Sequence, residues 1–420
     1  MYKFPKTFLF GAATSAHQVE GNNTNSDWWK WEQKMVKKPN GPKDVSGVAC
    51  SQWEKFEEDF VLAKNLGHNC HRISIEWAKI ELVEGEFNQE AILHYKKVLK
   101  SLNDKNIKTF VTLFHFTLPY WFAKKGGFKR TDSPKIFSRY AEYVARELGD
   151  YIDFFIPINE PKVYVTQGYL NGTWPPQIKS IRSSIHVFIN LVRSHNKAYK
   201  KITHINKKYL VGPNQSVPYM IPLNKNSIID RGISTLGNFL GEFPFYFLTR
   251  NYADFISVNH YFYDNVSFKK RKISFSGIIL DLKRRDFGYY QIKDTSRDPS
   301  IVRSDIGWSL RPRGHYFILK KLKKYNKPIY ITESGLADAK DKYRSWYIRR
   351  VFYWMNVALN DDIDLRGYMH WSLIDNFEWS LGFSPRFGLC EVERKTLKRK
   401  PRESAYVYRD LIKKAQSGDC

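Results

Sequence analysis

The chain has 420 residues, a formal net charge of +26 at pH 7, 42% hydrophobic and 16% aromatic residues, which is ample for a large core and leaves room for one to three domains. No apolar run approaches a membrane span. The basic excess raises nucleic acid, anionic membrane or an acidic substrate as partners. The lysines and arginines are spread along the chain without any zinc-finger, helix-turn-helix or single-strand-binding pattern, so they read as a solvated surface and no nucleic-acid partner is expected.

Four cysteines, Cys50, Cys70, Cys390 and Cys420, lack both close pairing and metal-ligand spacing. Cys70 lies in an apolar run and reads as a small core residue. So few thiols suit a reducing compartment. Only MYKFPKT precedes the apolar Phe8-Leu9-Phe10, too little for a secretory leader, and the expected location is cytoplasmic.

Short apolar runs alternate with longer amphipathic stretches along almost the whole chain, the pattern of βα units and a parallel sheet. Strands are expected at Phe8–Ser15, Cys70–Ile75, Thr109–His115, Phe154–Asn159, Tyr209–Pro213, Phe255–His260, Ile329–Glu333 and Leu365–Ser372. Helical segments include Trp53–Leu66, Gln89–Lys105, Pro134–Leu148, Ile185–Asn206 and Arg313–Tyr325. Eight units without a break in composition predict the α/β class: a single (β/α)8 TIM barrel spanning 1–420. Tyr261 to Asp305, rich in basic and aromatic residues, reads as an irregular loop excursion over the barrel mouth.

In such a barrel, function gathers where strands end at their C-terminal lip. Two lips carry glutamates: FFIPINEP places Asn159 and Glu160 at the end of one strand, and YITESG places Glu333 at the end of another. The other lips offer Gln18 and Glu20; Arg72, Glu76 and Trp77; His115; Asn259 and Tyr261; and Trp371 with Asp375, Glu378 and Trp379. Any one of these is as readily a satisfied core group as a functional one. Their accumulation at seven of the eight lips is not explained that way.

Paired carboxyls suit acetal cleavage. At about 5–5.5 Å they give double displacement with retention, and a wider gap admits water and gives inversion. Strands four and seven face each other across a barrel, so Glu160 and Glu333 can converge. Glu333 as nucleophile must be ionised, and Arg72 and the Tyr261 hydroxyl are its natural donors. Glu160 as acid must keep its proton, which the charge of Glu333 favours. Asn159 is placed to bond a sugar 2-hydroxyl. This chemistry needs neither metal nor cofactor, and its partners would be small β-glycosides or short oligosaccharides.

The segments FLFGAATSAHQVEG, DWWKWE, HRISIEW, TLFHFTLPYWF, INEP, VNHY, ITESG, HWSLIDNFEWSLGFSPRFGL and PRESAYVY, in that order, resemble the family 1 glycoside hydrolases, the β-glucosidases and β-glycosidases. The compact length and GYLNGTWPP are similar to the short archaeal-type members, some of which favour hydrophobic aglycones. The resemblance implies Glu160 as acid/base and Glu333 as nucleophile, supported by Arg72, Asn159, Asn259 and Tyr261. It implies Gln18, His115, Glu378 and Trp379 as ligands of the sugar hydroxyls, with Trp371 as stacking floor and Phe387 beside it. The chain departs from the family pattern at Ser334, where asparagine is usual, at Phe116 after His115, and at His260 within Asn259-His260-Tyr261. None of these removes a catalytic group, and with both glutamates present a thioglucosidase lacking the acid is not expected.

Two other readings compete. A 6-phospho-β-glycosidase would suit the basic surface, but Glu378 would repel a phosphate. A sugar-binding pseudoenzyme on the same barrel is opposed by the intact glutamates. Separately, KKRKISFSGIILDLKRR alternates basic and apolar clusters, a pattern compatible with weak contact to an anionic membrane surface as well as with a lid lining the aglycone site.

Overall fold

The computed structural model describes residues 4–39, 41–261, 263–269, 272–275, 278–281, 286–289 and 302–417. Its centre is a closed parallel sheet. In chain order the strands are β1 (Leu9–Ala13), β2 (Cys70–Ser74), β3 (Lys108–Phe114), β4 (Phe154–Ile158), β5 in two pieces (Leu210–Val211 and Asn214–Ser216), β6 (Ile256–Asn259), β7 (Ile329–Ser334) and β8 (Leu365–Trp371). β8 pairs with β1, setting Trp371 beside Ala13, while the two pieces of β5 pair with β4 and with β6 respectively. The sheet therefore closes as a (β/α)8 barrel.

Seven strands lie within two residues of their expected bounds. The fifth does not: it breaks after Val211 and resumes at Asn214. The reason is Pro213, which has no N–H to give to a ladder. Gly212 N still donates to Phe155 O (2.9 Å) and Pro213 O still accepts from Ser257 N (3.1 Å), so the backbone bridges the gap. The strands read as apolar runs because both faces are covered; all five residues of β4 are buried.

Helices coat the outside. Gln89–Asp104 starts where the Asn88 side chain accepts from Glu90 N (3.0 Å), and Ile181–Ile205 starts where Ser180 Oγ accepts from Ser183 N (3.2 Å). The second of these begins four residues earlier than its apolar periodicity suggests, because the cap fixes the start. The described part of 261–305 corrects the expectation of irregular structure. Tyr263–Lys269 pairs in parallel with Tyr219–Pro222, and Lys272–Phe275, Ile278–Asp281 and Asp286–Tyr289 continue the sheet antiparallel. Most of these strands are only four residues long and the basic residues are clustered at 269–272 and 283–285, so no period of two shows in the sequence. The side chains of Lys269–Lys272 and Lys283–Arg285, where the sequence suggested membrane contact, lie outside the described residues.

Candidate active site

The barrel interior is layered. Near its base the Phe110 and Phe154 rings stack at 4.1 Å, with Phe255 and Tyr330 packed edgewise against them. The layer above this plug is buried and polar. There Arg72 of β2 donates from Nε to Thr112 Oγ1 (3.0 Å), from Nη2 to Asn159 Oδ1 (2.6 Å), and from Nη1 to Glu333 Oε1. Asn259 of β6 is held by Asn214 Nδ2 (3.0 Å) and by Thr332 Oγ1 (2.9 Å), both donating to its Oδ1. Its own Nδ2 donates to Glu160 Oε1 (2.7 Å), and its side chain also contacts Glu333.

Two backbone irregularities aim the carboxyls. A bulge in β7 shifts its register against β6, so that Asn259 lies opposite Glu333 rather than Thr332. Thr332 and Glu333, neighbours in sequence, both reach polar partners inside the barrel. Glu333 is thus within the strand, not after its end. At the end of β4, Glu160 adopts φ 41° and ψ 58°, a left-handed conformation costly for a residue with a side chain. That turn lets consecutive Asn159 and Glu160 share the pocket, and Pro161 then starts a short helix.

The carboxyls are buried and differently supported. Burial pushes Glu160 up to about 8, and the charge of Glu333 adds to this; the Asn259 bond and Arg72 only partly oppose it. Burial raises Glu333 as well, but Arg72 and the Tyr261 hydroxyl (2.9 Å from Oε2) pull it back. Glu333 is therefore the member of the pair that ionises first. Glu378 is pushed up to about 8 by burial and by Glu333, with Trp371 and Gln18 as its hydrogen-bond donors.

The sugar-binding candidates gather beside them. Gln18 Nε2 donates to Asn376 Oδ1 (3.0 Å), Phe377 O (2.8 Å) and Glu378 Oε2 (3.3 Å), and its Oε1 accepts from Ser15 Oγ (2.7 Å). Asn159 Nδ2 donates to His115 Nε2 (3.2 Å), and burial holds that imidazole neutral, well below its ordinary pKa. The His115 ring lies between Trp371 and Trp379, at centroid distances of 6.2 and 6.0 Å. Phe387 packs near Tyr261 (6.4 Å). Contacts thus link all twelve candidate residues into one cluster at the C-terminal end of the barrel strands.

Other lip residues face elsewhere. Glu20 accepts from Lys79 Nζ (2.9 Å) and Tyr95 OH (2.9 Å), and Glu76 accepts from Thr117 Oγ1 (2.8 Å) and Ala78 N (3.1 Å). Asp375 is tied to two arginines. Conversely, sequence reasoning missed Asn214 and Thr332, which position Asn259, and Trp308, which packs on both Tyr261 (5.6 Å) and Phe387 (5.9 Å). It also missed the cage of His17, Trp28, Phe116 and Trp174 around Trp379. Only the Gly212-Pro213 break hinted that Asn214 was special. Among the described residues no group of three or more His, Cys, Asp or Glu side chains is gathered as metal ligands would be.

The family model for glycosyl hydrolase family 1 matches residues 1–243 and 242–417. The chain belongs to that family. It is 30% identical to a β-galactosidase of Pyrococcus woesei over 97% of each chain. Among solved structures it is similar to a β-glycosidase from Pyrococcus horikoshii (36% identity, TM-score 0.86, 98% of this chain and 95% of that one). It is also similar to a β-glucosidase from Thermotoga maritima in complex with glucoimidazole (28% identity, TM-score 0.88, 99% of each chain). This family 1 member is an α/β barrel enzyme and a retaining glycosidase.

Proposed function

We propose that this chain is an exo-acting β-glycosidase, β-glucosidase-like and also able to accept β-galactosides and β-fucosides, built as one glycosidase domain. In the first step the Glu333 carboxylate attacks the anomeric carbon, the glycosidic C–O bond breaks, and Glu160 gives its proton to the leaving oxygen. In the second, Glu160, now a carboxylate, takes a proton from water; the water oxygen attacks the same carbon and Glu333 leaves. Two inversions restore the β configuration.

The observation that carries this reading is the unequal support of the pair. Glu333 has a guanidinium and a phenol, while Glu160 has a single amide donor and a raised pKa of about 8. The Asn259 amide, touching both carboxyls, supports the close separation of about 5–5.5 Å used in double displacement. Asn159, anchored by Arg72, would meet the 2-hydroxyl; Gln18, His115, Glu378 and Trp379 the more distal hydroxyls; Trp371 the apolar sugar face, with Phe387 at its edge. Glu378 and Gln18 offer no cation to a 6-phosphate, which weighs against a phosphoglycosidase. The buried free thiols Cys50, Cys70 and Cys390 support a reducing, cytoplasmic setting.

The test is hydrolysis of a panel of aryl β-glycosides with product stereochemistry followed by NMR, wild type beside Glu333→Ala and Glu160→Ala. The expected results are retention, loss of turnover on the order of 10⁴-fold in Glu333→Ala, and azide rescue of Glu160→Ala on an activated substrate. A wild type that binds sugars and cleaves none of the panel would overturn the reading in favour of a pseudoenzyme.

A further inference from the structure

We propose that His315 is a positioning residue for the nucleophile: through Ser334 and His260 it clamps the backbone around Glu333. This role rests on the reading of Glu333 as nucleophile given above. Ser334 and His260 are positions at which the chain departs from its family's pattern, and both adjoin residues of the site. Ser334 follows Glu333 in β7, and His260 stands between Asn259 and Tyr261. The structure brings both to one side chain. The His315 ring meets Ser334 Oγ through Nε2 at 2.7 Å and packs edge-to-face against the His260 ring, with centroids 4.8 Å apart. All three residues are buried.

The partners fix the direction of each hydrogen bond. His315 Nδ1 lies 2.8 Å from Pro312 O, which can only accept, so that nitrogen carries the proton. Burial holds the imidazole neutral, well below its ordinary pKa, and the His260 ring beside it adds to this. Nε2 is therefore bare and accepts from the Ser334 hydroxyl, whose oxygen in turn accepts from Tyr347 OH (3.1 Å). His260 is oriented in the same way, its Nδ1 donating to Val217 O (2.8 Å). Its Nε2 reaches the helix Gly314–Leu322 at the glycine: a Cβ on Gly314 would lie 2.3 Å from it. Adjacent residues of one helix thus give His260 its room and Ser334 its anchor.

Backbone contacts carry the clamp to Glu333. His260 N donates to Glu333 O (2.9 Å), across the same bulge that sets Asn259 opposite Glu333. Beyond Ser334 the chain is pressed onto β8, where a Cβ on Gly335 would lie 1.9 Å from Trp371 O. Glu333 is therefore held at its own carbonyl through His260 and at the next residue through Ser334, and both holds end on His315. The bulge interrupts the regular ladder at this point, so side chains must supply what the ladder does not. Misplacing a reacting group by about 1 Å costs on the order of 10²-fold in rate.

The experiment compares His315→Leu, His315→Gln, Ser334→Ala and the double variant His315→Leu/Ser334→Ala with wild type and Glu333→Ala on an aryl β-glycoside. The measurements are kcat/KM against pH, inhibition by the released sugar, and stability to denaturant. His315→Leu and Ser334→Ala should each lower kcat/KM about 10- to 10²-fold. Affinity for the released sugar should be unchanged, because the sugar-binding side chains keep their own anchors. His315→Gln, whose amide oxygen can accept from Ser334, should recover most of the loss. The double variant should be no worse than the poorer single one, since both break the same bond. The acid limb, set by Glu333 among Arg72, Tyr261, Glu160 and Glu378, should move up in His315→Leu as the carboxylate loses its fit to Arg72 and Tyr261. A merely structural histidine would lower stability and leave that limb, and the kcat/KM of the folded enzyme, where they were. That result overturns the proposal, as do losses that add in the double variant. Glu333→Ala separates this from the underlying reading. No wild-type turnover, or a Glu333→Ala that keeps it, overturns both. An inactive Glu333→Ala beside wild-type-like His315→Leu and Ser334→Ala overturns the positioning role alone.

Discussion

Asp375 and Glu378 lie three residues apart on the loop after β8, and their surroundings are opposite. Asp375 is wrapped by cations: Arg402 donates from Nη1 (3.1 Å) and Nη2 (2.7 Å), Arg386 from Nη1 (3.3 Å), and Gly388 N adds a fourth bond (2.9 Å). Among the described residues Glu378 has only the neutral donors Gln18 and Trp371, and it is pushed up to about 8. Glu160 is in the same condition, and the three site carboxyls share one directly bonded guanidinium, that of Arg72. The contrast separates frame from function. A buried charge matched by its neighbours holds the loop in place. A cluster of carboxyls left short of cations keeps protons available near neutral pH and is poised to act on a ligand.

After the loss of Glu333 itself, a large effect is expected from removing the guanidinium that holds it. Arg72→Met should lower kcat/KM on the order of 10³-fold, and because Glu333 then loses its guanidinium its pKa rises, moving the acid limb of the pH profile upward. An unmoved acid limb would show that Arg72 does not control Glu333. Next comes Glu160 itself. It must be protonated to act as acid, so with a pKa of about 8 kcat/KM should fall as pH rises beyond that value. Glu160→Ala should cost about 10²–10⁴-fold on poor leaving groups and abolish that limb; a limb that survives belongs to another group.

On the frame side, Arg402→Met strips a buried partner from Asp375 and should destabilise the fold by about 3–5 kcal/mol in chemical denaturation, with both pH limbs where they were. A shifted limb would mean that frame and site are electrostatically coupled. The smallest effect concerns Glu378→Gln. The folded carboxyl, at about 8 instead of the ordinary 4.5, keeps a proton that the unfolded chain has released between those values, so wild-type stability falls as pH rises through that window. The amide removes this loss, and Tm at pH 7 should rise by about 2–5 °C with no gain at pH 4. A fall in Tm at pH 7 would contradict the raised pKa.

Much of this was legible before any coordinates. Alternating apolar runs located seven barrel strands almost to the residue, because parallel strands covered on both faces cannot hide their composition. The lip residues Arg72, Asn159, Glu160, Asn259 and Glu333 stood out because charged and amide groups at the ends of buried strands need partners. Glu20 and Glu76 stood out for the same reason, yet they serve local bonds to Lys79, Tyr95 and Thr117. Residue type at a lip says that a partner exists, not which one. The strand after Gly212-Pro213 and the sheet within 261–305 were obscured, one by a proline inside a strand and the other by strands mostly four residues long set among clustered basic residues.

The sequence by itself determined the barrel, its two glutamates and the polar side chains that ring its mouth, since these follow from composition, period and strand-end position. Only the tertiary structure decided that consecutive residues would reach the same polar partners. A strict alternation along β7 would turn Glu333 away from the side that Thr332 faces, and an ordinary extended exit from β4 would separate Glu160 from Asn159. The bulge opposite Asn259 and the left-handed turn at Glu160 overrule that alternation. They hold because the Arg72 and Asn259 side chains, brought in from two other strands, satisfy what the irregular backbone presents.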